Sequence, residues 1–592
     1  MNYKKDQFIL GISCHYHDAA AAILKDGVLL ASAEEERFTR KKHDSSFPIH
    51  AINYCLKQAG ITITDVGYIG FYEKPFLKFE RLLFQHLQLF PRSLKTFLHS
   101  MPHWLTEKLR ITRLIRKKLK YKGDILFLHH HVAHAAGSFL ISPFEKAAIL
   151  TVDGVGEWTT TAYGYGDGTT IELYKHITFP HSLGLLYSTI TAYLGFTVNN
   201  SEYKVMGLSP YGDMNKKTNP YYAKLKQVID VKDDGSYRLD MSYFTYHYGN
   251  RMPSRKLCTL LEGPIRTPES DVTQRHKDIA AALQLITEEV MIKMLNHVYK
   301  ETKCENIVLG GGVALNSVCN GKILTQTPFT RIWINPNPSD GGSSIGAAAY
   351  VYHTILGHPR TQTLSHAYLG PQFSPDSIKQ FLDTHHITYT SYANTKELIS
   401  SISKLLIDNK VVGWFQGRME FGPRALGSRS ILANPCNPHA KELLNTKVKH
   451  REKFRPFAPV VCADDAATYF ECDTPLPEAT DFMLMVYPIK KRYHLLIPSV
   501  THVDGSGRLQ TIRREQNPLY YDLIKHFGKQ SGVPILINTS FNIRGEPIVC
   551  TPEDAYTCMM GTGIDCLVMD TFLIKREDNQ KDMWDSEKIA TD

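Results

Sequence analysis

The sequence predicts an α/β protein whose amino-terminal part is built from two similar lobes. Residues 8–33 read as a strand, a polar loop and two further strands joined by a Lys-Asp-Gly turn. The same order returns at residues 147–177, where an apolar strand precedes an acidic glycine loop and two strands joined by Asp-Gly-Thr. Two copies of one unit, about 140 residues apart, predict a duplicated domain with a cleft between its lobes.

This arrangement is typical of the actin-like and sugar-kinase-like (ASKHA) ATPases. In such α/β sheets, ligand-binding residues lie at the carboxyl ends of the strands. The pattern changes after residue 356, where a connector-like stretch is followed, near residue 395, by a new α/β pattern that begins with a helix and a strand. We therefore predict a first domain at 1–360, a linker at 361–394 and a second domain at 395–592.

The composition, 592 residues with 43% hydrophobic and 21% charged, is that of an ordinary globular protein. It excludes a chain that is mostly disordered. The eleven cysteines form no CxxC pair, and the first residues lack the apolar core of a signal peptide. We therefore expect a cytoplasmic protein with reduced thiols. No apolar run reaches the length of about 18 residues that indicates a transmembrane helix, so we expect no integral membrane contact.

The net charge of +9 is unevenly placed. Residues 108–122 carry eight Lys or Arg and no acid, and Ile111, Ile115 and Leu119 follow each other at a spacing of four. This pattern predicts an amphipathic basic helix, which could contact an anionic membrane surface, a nucleic acid or a phosphorylated substrate. The alternative, which we favour, is a solvated face on a helix packed against the core. No basic stripe interleaved with aromatic residues occurs elsewhere, so no nucleic-acid partner is expected.

A possible metal site begins with the histidines of FLHHHVAHAAGSFL, residues 127–140. His130 and His134 are four residues apart, so a helix would aim both rings at one point. Asp153 follows an apolar strand, and Asp340 follows another, so all four would converge if both strands end at one cleft. Two alternatives stay open: a histidine pair near a helix end is often only packed or solvated, and Asp340 could simply cap a helix.

Glycine-rich and basic loops suggest that phosphates are bound. Residues 306–323 read as a strand, three glycines and a helix start, a layout in which backbone N–H groups can approach phosphate or ribose. Three later stretches, 417–430, 447–459 and 537–549, place cations beside glycine and proline turns. Such turns favour a polyanion site over a solvated surface.

Within these stretches, the candidates for binding a triphosphate are Lys449 and Arg455. Arginine is suited to this role because it makes bidentate phosphate contacts. Ser540 and Asn542 offer short polar contacts just after an apolar strand. Each of these residues has a structural alternative when taken alone. Together they predict a nucleotide site.

Ten stretches, taken in chain order, resemble the motifs of one family. They are GISCHYHDAAAAIL with GVLLASAEEERFTRKKHDSSFP, HHHVAHAAGSF, VDGVGEW, SLGLLYSTITAYLGF, SEYKVMGLSPYG, GGGVALN, NPSDGGSSIGAA, GRMEFGPRALGSRSI, REKFRPFAP and NTSFNIRGEPIV. They are similar to those of the O-carbamoyltransferases, which include the nodulation-factor, cephamycin, novobiocin and tobramycin carbamoylating enzymes. The resemblance covers nearly the whole chain.

The resemblance implies two sites on one chain. The second domain, similar to threonylcarbamoyl-adenylate synthases, would use carbamoyl phosphate and ATP with Mg²⁺ to make carbamoyl adenylate. The first domain, similar to metal-dependent tRNA threonylcarbamoyl transferases, would pass the carbamoyl group to a free hydroxyl of a small molecule or glycan. Keeping both sites in one chain would protect a labile intermediate from water.

The resemblance also assigns residues to these sites. It implies His17 as the base for the acceptor hydroxyl. Ligands for Fe(II), or for another divalent metal such as Zn or Mn, would be His130, His134, Asp153 and Asp340. Residues implied to hold the adenylate are Lys42, Glu202, Lys204, Gly311, Gly312 and Asn316. Residues implied to bind ATP and carbamoyl phosphate are Arg424, Lys449, Arg455, Arg508, Ser540 and Arg544.

Two other functions compete with this interpretation. A tRNA threonylcarbamoyl transferase-like enzyme shares the first domain, but the second domain and the absence of a nucleic-acid-binding stripe argue against it. A non-catalytic actin-like nucleotide-binding protein would explain the two phosphate hairpins but not the histidine pair or the basic second domain. The sequence has no motif that identifies the acceptor.

Overall fold

The computed structural model describes residues 7–579, which divide into two units by their internal contacts. The first unit contains residues up to 35 together with 44–364, and the second contains 36–43 together with the residues from 365 onwards. The short segment 36–43 therefore folds with the second unit, although it lies in the predicted first domain. The outer limits of the two predicted domains, residues 1 and 592, lie outside the described residues.

The described strands of the first unit form two five-stranded sheets and one small hairpin. In chain order they are β1 (Phe8–Ser13), β2 (Ala20–Lys25), β3 (Val28–Glu34), β4 (Val66–Phe71), β5 (Asp124–Phe127), β6 (Lys146–Val152), β7 (Thr159–Asp167), β8 (Thr170–Thr178), β9 (Ile229–Val231), β10 (Tyr237–Leu239), β11 (Asn306–Gly310) and β12 (Arg331–Ile334).

The two five-stranded sheets repeat one topology. The first has the order β3-β2-β1-β4-β5, and the second has the order β8-β7-β6-β11-β12. In each sheet, the first three strands in this order pair antiparallel to one another. The last two strands run parallel to the central strand, which is β1 in the first sheet and β6 in the second. The predicted duplication and the α/β class are therefore confirmed.

Local sequence explains the hairpin between β2 and β3. Asp26 and Gly27 both have positive φ, at 50° and 83°, which is the backbone of a tight two-residue turn.

Strands β1 and β6 are central in their sheets, and this is why their residues are almost uniformly apolar and buried. Their carboxyl ends carry the loops that contain His17 and Asp153.

Helices surround the two sheets of the first unit. The longer ones are Ile49–Ala59, Pro75–Gln88, Leu94–Thr106, Ile111–Leu119, His130–Phe139, Leu183–Tyr193, Glu202–Leu208, Gln274–Thr302 and Ser343–Ala349. Shorter helices are Tyr222–Leu225, Arg255–Leu260, Ser317–Asn320 and Ile323–Gln326. The predicted basic helix corresponds to Ile111–Leu119, with Ile111, Ile115 and Leu119 buried and its cations exposed.

The second unit is built around a mixed sheet of nine strands. They are β13 (Thr390–Ser391), β14 (Val412–Phe415), β15 (Arg429–Ala433), β16 (Ala458–Cys462), β17 (Met485–Pro488), β18 (Ser506–Ile512), β19 (Ile535–Ser540), β20 (Cys566–Met569) and β21 (Phe572–Lys575). Their order is β13-β21-β20-β14-β15-β19-β16-β18-β17.

The helices of the second unit begin before the predicted start of the second domain. They are Glu36–Thr39, Pro375–Thr384, Thr395–Ile407, Ala440–Leu443, Ala463–Tyr469, Pro518–Ser531 and Pro552–Met560. The segment 361–394, which we predicted as a linker, therefore contains the helix Pro375–Thr384 and strand β13 of the sheet. Ser374 caps that helix by accepting a hydrogen bond from the Ser377 N–H at 3.2 Å.

Candidate functional site

Helix His130–Phe139 presents two histidines to one buried point. The Nε2 atoms of His130 and His134 lie 3.0 Å apart, and the exposed fractions of the two residues are 0% and 3%. The spacing of four residues places both rings on the same face of the helix. Their neighbour His131 faces away and is held by Thr151, whose Oγ1 lies 2.7 Å from its Nδ1.

Two buried carboxylates complete the cluster. Asp153, just after β6, places Oδ2 3.2 Å from the Nε2 of His130. Asp340 places Oδ1 3.6 Å from the Nε2 of His130 and 3.5 Å from that of His134. One ligand atom from each of the four residues lies within 4.8 Å of the others. The structure thus brings together the four residues that the sequence proposed as ligands.

Small residues make this convergence possible. Gly137, on the histidine helix, faces Gly346 on helix Ser343–Ala349, and a Cβ at Gly346 would overlap the carbonyl oxygen of Ala133. The two helices therefore pack backbone against backbone. Because Asp340 lies immediately before the second helix, this close packing brings its carboxylate to the histidines.

The charges in the cluster are coupled. Burial opposes ionisation of both carboxyls, but the neighbouring histidines hold the pKa of Asp153 well below its usual range and lower that of Asp340. Burial also opposes protonation of His130, but the negative charges of Asp340 and Asp153 raise its pKa to about 9. Without a metal ion, the two carboxylates therefore favour the protonated form of His130.

The donor set fits a divalent metal ion. Both carboxylate oxygens of Asp340 are buried, and neither has a hydrogen-bond partner among the described residues. The two imidazole Nε2 atoms point at each other, although only one proton can lie between them. Two imidazoles and two carboxylates are ligands that suit Fe(II), Zn or Mn. An ion at this point would use all four groups.

Two residues that the sequence interpretation missed support the ligands. Glu157 accepts the backbone N–H of His130 at 3.0 Å and that of Lys74 at 2.8 Å, which fixes the start of the helix. Ser343 places Oγ 3.1 Å from Nδ1 of His134, on the side opposite the cluster. Such contacts orient a ligand ring and select its tautomer. Both residues lie within motifs already noted, DGVGEW and SDGGSS, and this position was the available signal.

His17 lies in the loop between β1 and β2. Its Nδ1 is 2.7 Å from Oδ2 of Asp18, which leaves Nε2 as the ring nitrogen available for another contact. Burial opposes protonation, but Asp18, Asp340 and Asp153 raise the pKa of His17 to about 10. The charges of the two metal-site carboxylates therefore reach His17.

Ionic groups missed by the sequence interpretation lie beside the same loop. Lys78 pairs with Glu73 at 2.5 Å, with both side chains about 95% buried, and its Nζ lies 4.7 Å from the ring centroid of Tyr16. Arg81 is only 5% exposed, and its Nε has no hydrogen-bond partner among the described residues. Burial lowers the pKa of Arg81 to about 10. Burial and the charge of Lys78 lower that of Lys108 to about 8.

The glycine loop after β11 adjoins the metal cluster. Gly311 has φ of 86°, and its N–H donates to the carbonyl oxygen of Pro338 at 2.8 Å. The N–H of Gly312 donates to Oδ1 of Asp153 at 2.8 Å. Asn316 caps the next helix by accepting the N–H of Cys319 at 3.0 Å.

Asn316 belongs to a buried polar chain, and the charge of Glu202 acts on that chain. The Nδ2 of Asn316 donates to Gln284 at 3.0 Å, and the hydroxyl of Tyr187 donates to Gln284 at 3.4 Å. Burial and the charge of Glu202 raise the pKa of Tyr187, so these two groups are neighbours. Lys204 is buried, with its Nζ 5.5 Å from the ring centroid of Phe196.

Lys42 is placed differently from the other residues assigned to the adenylate. It belongs to the segment 36–43, which folds with the second unit. Its positive charge helps to lower the pKa of Lys449, so the two cations repel each other. Arg40 anchors the segment by donating to the carbonyl oxygens of Pro547 and Ile548 at 2.9 and 2.7 Å.

In the second unit, Lys449 is buried within a loop. Its Nζ contacts the carbonyl oxygen and Oγ of Ser540, the latter at 3.3 Å, and the carbonyl oxygen and Oδ1 of Asn542 at 2.9 and 2.8 Å. Burial lowers its pKa well below the usual range, and the charge of Arg451 adds to this effect. Its ammonium therefore holds the turn after β19.

The loop that carries Arg424 is fixed to the sheet by uncharged and acidic side chains. Gln510 and Asn538 each donate at 3.0 Å, to the carbonyl oxygens of Leu426 and Ala425. Glu420, which is 3% exposed, accepts three backbone N–H groups of residues 426–429 at 2.7 to 3.1 Å. The loop is therefore held in one conformation.

Several cations of the basic stretches bind the backbone of the protein itself. Arg429 is fully buried and donates to the carbonyl oxygens of Gln416 and Pro371 at 2.8 and 3.1 Å. Arg418 and Arg451 likewise donate to loop carbonyl or amide oxygens. The remaining implied anion-binding residues sit on the same sheet or its loops, and they are Arg424, Arg455, Arg508, Ser540 and Arg544.

Comparison with known families agrees with both units. Residues 8–349 match the family model described as Carbamoyltransferase N-terminus. Residues 403–576 match the model described as Carbamoyltransferase C-terminus. Among the described residues, no helix is both long and apolar enough to cross a membrane.

Relatives match over most of the chain. An uncharacterized protein of Synechocystis sp. is 46% identical over 98% of this chain and 99% of its own length. Nodulation protein NolNO of Sinorhizobium fredii is 36% identical over 96% of this chain and 80% of its own length. Nodulation protein U of the same species is 26% identical over 92% of this chain and 95% of its own length. With both family models and these relatives matched, the chain belongs to the carbamoyltransferase family and is a carbamoyltransferase.

Proposed function

We propose that the chain is an ATP- and carbamoyl phosphate-dependent O-carbamoyltransferase that acts on a hydroxyl of a small molecule or glycan. The second unit would convert carbamoyl phosphate, ATP and water to carbamoyl adenylate, phosphate and pyrophosphate. The first unit would transfer the carbamoyl group from the adenylate to the acceptor hydroxyl, releasing AMP and a proton. The nodulation proteins among the relatives support an acceptor of this type.

The observation that carries this proposal is the buried cluster of His130, His134, Asp153 and Asp340. It lies against the glycine loop, where the N–H of Gly312 binds the same carboxylate that faces His130. Two imidazoles and two carboxylates beside a glycine loop suit a metal ion that acts on a substrate with both a phosphate and a polarised carbonyl. A divalent metal held by these four residues would supply Lewis-acid stabilisation of negative charge on substrate oxygens.

The protein groups beside this cluster have separate tasks in the transfer. His17, oriented by Asp18, is proposed to take the proton of the acceptor hydroxyl at Nε2. A divalent cation held by the cluster would offset the carboxylate charges that raise the pKa of His17, and so would favour the neutral ring. Gly311 and Gly312 would line the adenylate site next to the cluster, because without side chains they leave room for the phosphate. Glu202 and Asn316 would contact the nucleoside, with Asn316 held in place by Gln284. Holding both substrates together supplies much of the rate enhancement.

The second unit is proposed to make the adenylate with its cationic loops. Arg424, Arg508 and Arg544 are proposed to contact phosphate oxygens, because arginine binds phosphate with two parallel hydrogen bonds. Lys449 is proposed to act indirectly and not to contact the substrates, since its ammonium already binds the turn at 540–542. Its task would be to hold Ser540 in place for the substrates. Lys42 is proposed to join this cationic group.

The two half-reactions test the division of labour. Lys449→Met should abolish phosphate and pyrophosphate release from carbamoyl phosphate plus ATP, yet leave transfer from supplied carbamoyl adenylate intact. Asp153→Asn should do the opposite, because it removes a carboxylate of the transfer site. Circular dichroism of both variants checks their folds. If both folded variants fail in the same half-reaction, the adenylate is made and used in one place and the proposal is wrong.

A matched control separates a role for Lys449 from a general loss of positive charge. Lys441 lies nearby in sequence on helix Ala440–Leu443 and is partly buried, with a pKa lowered by burial. Lys441→Met should leave both half-reactions within about twofold of the parent, because Lys441 lies on helix Ala440–Leu443 and is not among the residues assigned to either site. Equal losses in the two lysine variants would contradict the proposed role of Lys449.

A further inference from the structure

An apolar face is exposed on two helices of the first unit, Pro75–Gln88 and Leu94–Thr106. Eight of the fourteen exposed large apolar side chains among the described residues lie on these helices and their connection. They are Phe76, Leu83, Phe84, Leu87, Phe90, Leu94, Leu98 and Leu105. Such clustering is unlike the single exposed apolar residues that are normal on a protein surface.

These side chains share one side of each helix. Phe76, Leu83 and Leu87 follow each other at spacings of seven and four, and Leu94 and Leu98 at a spacing of four. Leu87 and Leu98 are 67% and 63% exposed. The opposite sides of the helices are buried, with Trp104 5% exposed. The helices thus have an inner face that packs on the unit and an outer face that is apolar. On helix Pro75–Gln88 the buried residues of the inner face include Lys78, Arg81 and His86. We call this outer face the Phe/Leu surface.

The helices are fixed to the rest of the first unit. The Nε2 of Gln85 donates to the carbonyl oxygen of His247 at 2.7 Å, and the hydroxyl of Thr96 donates to that of Tyr248 at 3.0 Å. Arg81 stacks on Phe179, with the guanidinium carbon 4.7 Å from the ring centroid. The exposed apolar side chains therefore stand on a rigid base.

Positive charge is concentrated in the stretch of chain that carries the Phe/Leu surface. Residues 74–123 contain thirteen Lys or Arg and two acids, a net charge of +11, whereas the whole chain carries +9. Five of these cations are exposed on or just after helix Ile111–Leu119, namely Arg113, Arg116, Lys117, Lys118 and Lys120. This combination of exposed Phe and Leu with Lys and Arg is typical of surfaces that lie in the headgroup region of an anionic bilayer.

We propose that residues 75–120 dock this protein on the surface of an anionic phospholipid membrane. The Phe and Leu side chains of the Phe/Leu surface enter the boundary between headgroups and acyl chains, and the cations of helix Ile111–Leu119 bind lipid phosphates. The two helices have 14 and 13 residues, shorter than the roughly 20 needed to cross a bilayer, so they lie along it. This docking is independent of the catalytic roles proposed above.

Charge argues against a second copy of the chain as the occupant. A symmetric dimer through this surface would bring two segments of net charge +11 together, and like charges at an interface oppose association. Lysine is also depleted at protein–protein interfaces. An anionic bilayer satisfies both features of the surface, the apolar side chains and the cations.

Docking would place the candidate transfer site near a membrane-bound acceptor. The inner face of helix Pro75–Gln88 carries Lys78 and Arg81, and both act on Tyr16, next to His17. One helix therefore carries the exposed apolar side chains on one side and contacts the candidate site on the other. This arrangement favours acceptors that are held at a membrane surface.

Vesicle sedimentation with the full chain tests the docking. We expect co-sedimentation with vesicles of phosphatidylcholine mixed with phosphatidylglycerol, weaker binding as salt is raised, and little binding to phosphatidylcholine alone. Reversing Arg113, Arg116 and Lys117 to Glu should weaken binding by about a hundredfold or more, at about fivefold for each basic residue. Leu87→Glu with Leu98→Glu should weaken it by about tenfold or more.

Matched controls use exposed residues of the second unit. Leu495 and Leu496 are 94% and 43% exposed, so Leu495→Glu with Leu496→Glu should not change binding. Charge reversal at the exposed lysines Lys396, Lys404 and Lys410 should also have little effect. Thermal unfolding of each variant confirms that it is folded.

The proposal fails if the parent protein does not sediment with the mixed vesicles, or if the control variants weaken binding as much as the test variants. It also fails if sedimentation velocity shows a dimer that Leu87→Glu with Leu98→Glu converts to monomers, because the apolar face would then be a protein interface. Binding of an acidic protein without any vesicle binding would likewise overturn it.

Discussion

Replacing Asp340 by asparagine separates metal binding from folding. The carboxylate is 1% exposed, and neither oxygen has a hydrogen-bond partner among the described residues. Burying that charge is costly, and attraction to His130 and His134, at 3.6 and 3.5 Å, offsets much of the cost. Asp340→Asn removes both effects at nearly constant volume. Because His130 keeps Asp153 as a partner and can release its proton, we expect the free energy of unfolding without metal to fall by less than the roughly 3–5 kcal/mol that breaking a buried pair costs.

With a divalent metal present, the parent and the variant should differ clearly. A ligand at a hundred times its Kd stabilises the folded state by about 2.7 kcal/mol. For a first unit of roughly 350 residues, with an unfolding entropy of about 2.1 cal/mol/K per residue, this raises the midpoint by about 4 °C. Asp340→Asn should lose this rise. Calorimetric scans with and without Mn²⁺ or Fe²⁺, the latter kept anaerobic, measure it.

A second buried aspartate serves as the control. Asp481 in the second unit is 5% exposed and pairs with Arg513 at 3.0 Å. Asp481→Asn should lower stability, because it leaves a partner without its charge, but should keep the metal-dependent rise. The reasoning is refuted if Asp340→Asn shows the same rise as the parent, since the carboxylate would then not be a ligand.

Three further predictions concern charge. Metal affinity should increase about tenfold per pH unit up to about pH 9, because His130 must lose its proton to bind the metal. Calorimetric titration with Mn²⁺ at several pH values measures this affinity. An affinity that does not change with pH would contradict the prediction. Asp18→Asn should lower the pKa of His17; if His17 must be unprotonated to act, the acid limb of the pH–rate profile for transfer then moves to lower pH, and an unmoved limb would exclude His17 as the base. Arg81→Met should stabilise the protein by about 1–4 kcal/mol in urea unfolding, because a buried charge without a hydrogen bond at Nε is removed; a lower midpoint would show that the arginine has a structural task.

Periodicity drew attention to three of the four cluster residues, and the family resemblance implied the full set. His130 and His134 are one helical turn apart, and Asp153 follows a strand whose apolar run is easy to recognise. The turn at Asp26 and Gly27 and the duplicated strand order were predictable for the same reason. What the sequence could not show was the close packing at Gly137 and Gly346, which brings the separate elements to one point.

The Phe/Leu surface could not be predicted, because apolar periodicity is normally a sign of burial. Helix Pro75–Gln88 has apolar residues on two sides, and only the structure shows which side packs on the unit. The buried position of Arg81 was hidden for the opposite reason: a charged residue in a helix is expected to face water. Exposure depends on tertiary neighbours that are distant in sequence.

The basic loops of the second unit show a further limit of sequence interpretation. The sequence indicated many cations in rigid turns, but it could not indicate which of them bind the protein itself. Arg429 binds backbone carbonyls, and Lys449 binds four oxygens of one turn, although an ammonium has only three protons to donate. A cation that is already saturated contributes to an anion site by holding other groups in position. For this reason the loss of Lys449 should be read as a displaced Ser540 turn, and a variant that restores the turn by another contact should recover adenylate formation without restoring the charge.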